Sequence, residues 1–278
     1  MPITVALQGR LGNQLFQYAC CRSISLKKNF DMFINTNFNH DQQQCLLENF
    51  NLYNNKSIKN PRLNYLYKEG QHSKYKTLMF DENVKNIQNN TILTGYFQNF
   101  NYFKDIKDTI TNDFKLDKNI LDIAENYLNK LKKDKNKTEI ISINIRRGDY
   151  NNLGLFNEKY VVDFINNSLS KINNVENKII LIFIGGSKTN NSNKDIEWVK
   201  KNILYENIVI SPYSIKPNIL LDMAISKICD YMIIPIMSSI TWWILFLNKN
   251  NPLNNFVPFK DPQNNIISYD DNYNIINT

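Results

Sequence analysis

From Glu139 onward the chain alternates short apolar runs with longer amphipathic segments, and that rhythm leaves few folds open. Strands are expected over 139–146, 178–184, 207–211 and 230–234, and helices over about 158–172, 195–203, 217–228 and 238–247. The first strand shows the period of two directly, since Ile141, Ile143 and Ile145 alternate with Ser142 and Asn144. Strands separated by helices of this length imply a parallel sheet with helices on both faces. The first half is a looser version of the same. Ile3 to Leu7 reads as a strand, 8–14 as a Gly-bearing turn, and Leu15 to Lys28 as a helix with Leu15, Ala19, Ile24 and Leu26 on its apolar face. A second strand is expected over 91–96, and helices over about 101–114 and 119–133, whereas 35–90 is irregular and rich in Asn and Tyr. The most polar segment, Lys132 to Thr138, marks the expected boundary between domains at 1–135 and 136–278. The class is α/β, with two Rossmann-like domains facing across a cleft and ligands at the carboxyl ends of strands.

Composition removes several kinds of chemistry. The four cysteines, Cys20, Cys21, Cys45 and Cys229, form no C-x-x-C pair and read as reduced thiols of an intracellular protein. With only His40 and His72 in the chain, a His-ligated zinc site or a Ser-His-Asp triad is not expected. The net charge of +7 suits an anionic partner. The lysines are scattered, however, and no block of five like charges or basic–aromatic stripe points to nucleic acid. No leader is expected at the start, and the apolar stretch Tyr231 to Leu247 contains Pro235 and suits a strand and helix better than a membrane span. A cytoplasmic location is expected, with peripheral membrane contact left open.

Four stretches carry chemistry. "ISINIRRGDY", Ile141 to Tyr150, puts Arg146 and Arg147 at a strand end, where a planar guanidinium fork matches phosphate oxygens. Asp149 is close enough to brace one of them or to take a proton; a surface ion pair is the plainer alternative. "MSSITWWILFLN", Met237 to Asn248, opens with N-cap candidates Ser238 and Ser239 at a helix start, which is an anion site or an ordinary cap. "GRLGNQLFQYA", Gly9 to Ala19, puts Gly9 and Gly12 between a strand and a helix, yet matches neither G-x-G-x-x-G nor the P-loop. Asp222 lies in a largely apolar helix and needs a partner. A carboxylate can accept both donors of the guanine edge, though taken alone a half-exposed helix aspartate is the plainer reading.

Taken in order, these stretches resemble the bacterial and viral α-1,2-fucosyltransferase family, from residue 3 to about 248. "GRLGNQLFQYA", "IRRGDY" and "SSITWW" carry the resemblance. It implies a GT-B fold of two Rossmann-like domains, the first on the acceptor side and the second binding the GDP-sugar. It also implies GDP-fucose as donor, a glycan acceptor and no metal or other cofactor. Arg146 would hold the β-phosphate, supported by Ser238 and Ser239; Asp222 would read guanine; Gly12 and Asn13 would face the donor. Asn144 stands where that family usually has histidine, beside the base or ribose. A Ser-Asp-Asp run usual after the strand at Lys178 is replaced by Gly185-Gly186-Ser187 and an Asn- and Lys-rich insertion before Asp195-Ile196-Glu197-Trp198. Met237 replaces a polar residue. Tyr96, Phe97 and Gln98 form the expected acceptor wall.

The implied reaction is inverting transfer of fucose to a hydroxyl, O-2 of a galactoside, with Arg146 and Asp149 as the catalytic pair and Asp149 either base or brace. The alternatives are another GDP-hexose or GDP-deoxyhexose donor on the same fold, and a GDP-sugar- or glycan-binding protein without catalysis.

Overall fold

The structure is a computed structural model and describes residues 2–36, 44–53, 64–70, 79–132, 138–172, 177–185, 192–248, 250–260, 267 and 273–276. His40, His72, Gly186 and Ser187 lie outside these residues. The chain divides into two compact units, Met1–Asp117 and Lys118–Thr278.

In the first unit, β1 (Pro2–Ala6) leads into α1 (Leu11–Lys28) and β2 (Asp31–Asn35), followed by β3 (Tyr65–Lys68), β4 (Thr91–Thr94) and α2 (Lys107–Asp113). The strands form a parallel sheet in the order β2-β1-β4-β3. The helix α1 starts four residues before its expected first residue, so Leu11, Gly12, Asn13 and Gln14 belong to its first turn. Its buried face is wide, and Leu26, expected there, is 45% exposed. The pattern over 101–114 breaks into two 3-10 turns ahead of α2. A buried ion pair fixes α1 to α2: Arg22 Nε and the Tyr18 hydroxyl both donate to Asp113 Oδ2 at 3.0 Å.

In the second unit, α3 (Lys118–Lys132) precedes β5 (Thr138–Arg146), α4 (Gly148–Asn152), α5 (Glu158–Ser170), β6 (Asn177–Gly185), α6 (Ser192–Asn202) and β7 (Ile208–Ile210). Then come α7 (Pro212–Ile215), α8 (Ile219–Ser226), β8 (Tyr231–Ile233), α9 (Ser239–Phe246), β9 (Asn255–Pro258) and β10 (Asn274–Ile276). The order β10-β9-β8-β5-β6-β7, with every pair parallel, is the doubly wound order of dinucleotide-binding sheets. The chain leaves β5 toward β6 and β7, then returns to β8 on its other side. The switch point therefore lies between β5 and β8, the place where such sheets receive ligands. The core strands are nearly continuous in Ile, Leu and Phe because both faces are covered.

The division falls after Asp117, not near 135. The polar stretch that suggested the later boundary only ends α3, and that helix is part of the second unit. It packs on α8, and Lys132 Nζ meets Asp230 Oδ2 at 2.7 Å just before β8. Among the described residues no helix is long and apolar enough to cross a membrane.

Candidate active site

In the second unit, β5 delivers two arginines to two different fates. Arg146 is its last residue, paired in register with Gly185 at the end of β6. Its Nη2 donates to Asp149 Oδ2 at 2.8 Å, and its guanidinium lies 5.4 Å from the centre of the Tyr150 ring. The bare Gly185 lies against Nη1, since a Cβ there would sit 3.5 Å away. Arg146 Nε is buried and has no hydrogen-bond partner among the described residues. A buried donor left unpaired is costly, so an acceptor is expected from outside the chain.

Arg147 N still donates to Gly185 O at 3.1 Å, but the residue lies beyond β5 at the N-cap position of α4. Its guanidinium lies between Phe156 and Trp198, 4.9 and 4.7 Å from their ring centres. Nε donates to Asp195 Oδ1 at 2.8 Å and Nη1 to Glu158 Oε1 at 3.3 Å. Both Arg147 and Asp195 are buried, so this pair ties the start of α6 to the end of β5.

Asp222 sits in the first turn of α8 and accepts from Ser211 Oγ at 2.7 Å and Ser214 Oγ at 3.1 Å. Burial pushes its carboxyl up to about 6, against the pull of the two hydroxyls. Ser214 Oγ also accepts from Ile184 N at 3.1 Å, which joins the Asp222 cluster to β6. Asn144 lies within β5, and both ends of its amide engage Ser226 Oγ, at 2.8 and 3.2 Å. It is therefore turned to α8, with its amide engaged by Ser226. The reason is its burial, at 4% exposure, which obliges the amide to find a partner within the protein. Ser226 stands one helical turn after Asp222, so Asn144 braces the helix that carries that carboxylate.

At α9 the expected cap is present as a reciprocal pair. Ser238 Oγ accepts from Thr241 N at 3.4 Å, and Thr241 Oγ1 accepts from Ser238 N at 2.7 Å. The Ser238 hydroxyl is thus committed to the cap. What the helix start offers beyond it are the backbone amides of Ser239 and Ile240 in the first turn. Trp243 is fully buried, as a core residue.

In the first unit, the turns after the two central strands meet. β1 and β4 pair through Ile3↔Thr91 and Val5↔Leu93. Gln98 Nε2 donates to Asn13 Oδ1 at 2.6 Å, and Gln17 Nε2 donates to Gly95 O at 2.9 Å. Gly9 has a φ of +76°, and a Cβ there would lie 2.3 Å from Asn13 Nδ2, so only glycine lets Asn13 take this place. Gly12 is buried within the first turn of α1. Of the expected acceptor wall, Tyr96 is exposed, Gln98 half-buried and Phe97 fully buried. The Phe97 ring packs on Tyr67 and Tyr102 and cannot line an open surface.

A sequence profile of glycosyl transferase family 11 matches residues 2–275. The chain belongs to this family. A family 11 chain of this kind is a glycosyltransferase, and its relatives agree. An α-1,2-colitosyltransferase of Escherichia coli is 27% identical, over 90% of this chain and 89% of its own length. Fucosyltransferase NodZ from Bradyrhizobium shares the fold with a TM-score of 0.57 at 12% identity, covering 90% of this chain and 93% of that one. POFUT1 in complex with GDP-fucose superposes with a TM-score of 0.55 at 8% identity, over 91% and 97% of the two chains. Within this family 11 chain, Arg146, Asp149 and Gly185 gather at one strand end, and Asp222 stands among Ser211 and Ser214. Ser211, Ser214 and Ser226 escaped the sequence reading. Each lies outside a motif, and isolated serines are common enough to carry no signal.

Proposed function

We propose that this chain is an inverting glycosyltransferase that moves L-fucose from GDP-β-L-fucose to a hydroxyl of an acceptor glycan, O-2 of a galactoside. The observation that carries the reading is Arg146, a half-buried guanidinium whose buried Nε has no partner among the described residues, at the switch point of a doubly wound sheet. A diphosphate supplies the acceptor that this donor lacks. On this reading the acceptor oxygen bonds to the anomeric carbon, the bond from that carbon to the β-phosphate oxygen breaks, and GDP departs with the electron pair. Charge grows on the β-phosphate, where Arg146 and the amides at the start of α9 meet it. Asp149 already holds Arg146 through Oδ2, so we assign it orientation of the guanidinium. The acceptor's proton passes to water on the attacked face, because inversion puts the departing diphosphate on the opposite face of the sugar. Asp222 reads the guanine edge, and Tyr96 with Gln98 receives the acceptor. The reading needs no metal, because arginine and helix amides neutralise the leaving group. In the described residues no group of three or more His, Cys, Asp or Glu is arranged to hold one.

A second reading keeps the chemistry and changes the sugar. It is favoured by the Escherichia coli relative, which is named for transfer of colitose.

Calorimetry with GDP and ADP in excess EDTA tests the donor site. GDP should bind without metal, and Asp222→Asn should weaken its preference over ADP about tenfold, the effect of one mismatched polar edge. GDP affinity should also fall as the pH drops through about 6, since guanine donors need the ionised carboxylate. The stability contribution runs the other way. The folded carboxyl holds its proton up to about 6 against an ordinary 3.8, so protonation favours the fold and this contribution is lost as pH rises through that window. Loss of GDP binding on chelation would sink the metal-free reading, and an unchanged GDP preference would remove Asp222 from the base site.

A further inference from the structure

The turn after β4 is held in a conformation its residues would not choose. Phe97 has a φ of +51°, a left-handed backbone that a bulky aromatic rarely adopts. Gly95 has a φ of +154°. Such strain persists only where the surroundings over-determine it, and it gathers at functional sites. Here the surroundings are one carboxylate. Glu69 follows β3, and its Oε2 accepts from Tyr96 N at 2.8 Å and from Phe97 N at 2.9 Å. Its Oε1 accepts from the Tyr102 hydroxyl at 3.0 Å. Tyr102 is buried, and its oxygen accepts in turn from Asp81 N at 3.0 Å. Gly95 lies close over the same side chain, since a Cβ there would be 2.4 Å from Glu69 Cβ. From the opposite side Gln17 fixes Gly95 O, and Gln98 closes on Asn13.

The clamp leaves one aromatic side chain outside. While Phe97 is fully buried, Tyr96 between it and Gly95 is 37% exposed, with the Gln98 amide two residues on. An aromatic face beside an amide suits a sugar ring, whose C–H face packs on the ring while its hydroxyls bond the amide. The turn lies at the carboxyl end of a central strand, where a parallel sheet receives ligands.

We propose that Glu69 is a positioning residue for acceptor recognition. Its carboxylate sets the Gly95–Gln98 turn into the one shape that presents Tyr96 and Gln98 to the acceptor's sugar ring. This rests on the reading of the chain as a transferase to a glycan. It goes further by assigning acceptor affinity to a side chain that does not touch the acceptor.

The test is steady-state transfer by Glu69→Ala, Glu69→Gln and Tyr96→Ala, with acceptor and GDP-sugar each varied, beside thermal melts and GDP binding. Removing charge-assisted bonds to two backbone amides should raise the acceptor KM about tenfold or more in Glu69→Ala. Glu69→Gln keeps one accepting oxygen and should fall between it and wild type. Tyr96→Ala should reproduce the acceptor defect with an unchanged melting temperature. The KM for the GDP-sugar and the affinity for GDP should stay within about twofold throughout, a split that loss of folded protein would not produce. Should Glu69→Ala fail to fold, Glu69→Gln and Tyr96→Ala still decide the matter. An acceptor KM unchanged in both, or a donor KM raised as much as the acceptor's, overturns the proposal. A wild type that transfers no sugar overturns the transferase reading and this inference together, whereas normal wild-type transfer with indifferent variants overturns only the inference.

Discussion

Lysine in place of Arg146 should cut sugar transfer on the order of 100-fold or more while the fold survives. Lysine keeps the charge, but it loses the planar fork that can donate to two phosphate oxygens at once. It also removes Nε, the buried donor that has no partner among the described residues. The contact should tighten as the β-phosphate gains charge, so the loss should appear in kcat as well as in donor affinity. Arg146 is half-buried and its ion-pair partner is Asp149, three residues on, so little of the unit's stability rests on it. An unshifted thermal melt beside a collapsed rate is the expected pair of results. A kcat within tenfold of wild type would take Arg146 away from the leaving group.

The neighbouring arginine should behave in the opposite way. Arg147→Ala should destabilise the second unit by about 3–5 kcal/mol, because it strands buried Asp195 without its cation. It also empties the slot between Phe156 and Trp198. For a unit of this size the melting temperature should drop by roughly 10 °C. Glu158 contributes little to that figure, because its side chain is 57% exposed and its ion pair is screened. Arg147→Lys keeps a charge for Asp195 but loses the stacking plane, so it should lower the melting temperature by less. Transfer by its folded fraction should stay within a few-fold of wild type. Measured at a temperature where Arg146→Lys and Arg147→Lys are both folded, Arg147→Lys must be the more active of the two. The reverse order would make Arg147 the phosphate ligand.

The two adjacent arginines also show how far the sequence could be read. The apolar alternation ahead of them identified the strand, and the parallel pattern placed its end at a ligand site. Strand alternation would turn two adjacent side chains to opposite faces, but the cause of their divergence is different. β5 stops at Arg146, and Arg147 already belongs to the turn into α4. Its partner Asp195 lies 48 positions away across the Asn-rich insertion, and no local pattern announces such a pairing. Glu69 was invisible for a similar reason. It sits in the irregular stretch between 35 and 90, and only the pairing of β3 with β4 brings it under the Gly95–Gln98 turn. The strands β2, β3, β9 and β10 are three to five residues long and went unread. Asn144 was legible as a departure from a motif, but its meaning was not. The substitution matters through Ser226, which joins it only when α8 packs beside β5.

The central claim is transfer of fucose with inversion, and product analysis tests it most directly. The wild-type protein would be incubated with GDP-β-L-fucose, excess EDTA and a panel of galactosides. Released GDP would be measured, and the linkage of the product would be assigned by nuclear magnetic resonance. The account predicts GDP release that depends on a galactoside, and a product carrying α-linked fucose on O-2. Turnover confined to a different GDP-deoxyhexose would select the second donor reading. A β-linked product, or no acceptor-dependent GDP release from any GDP-sugar, would contradict the account.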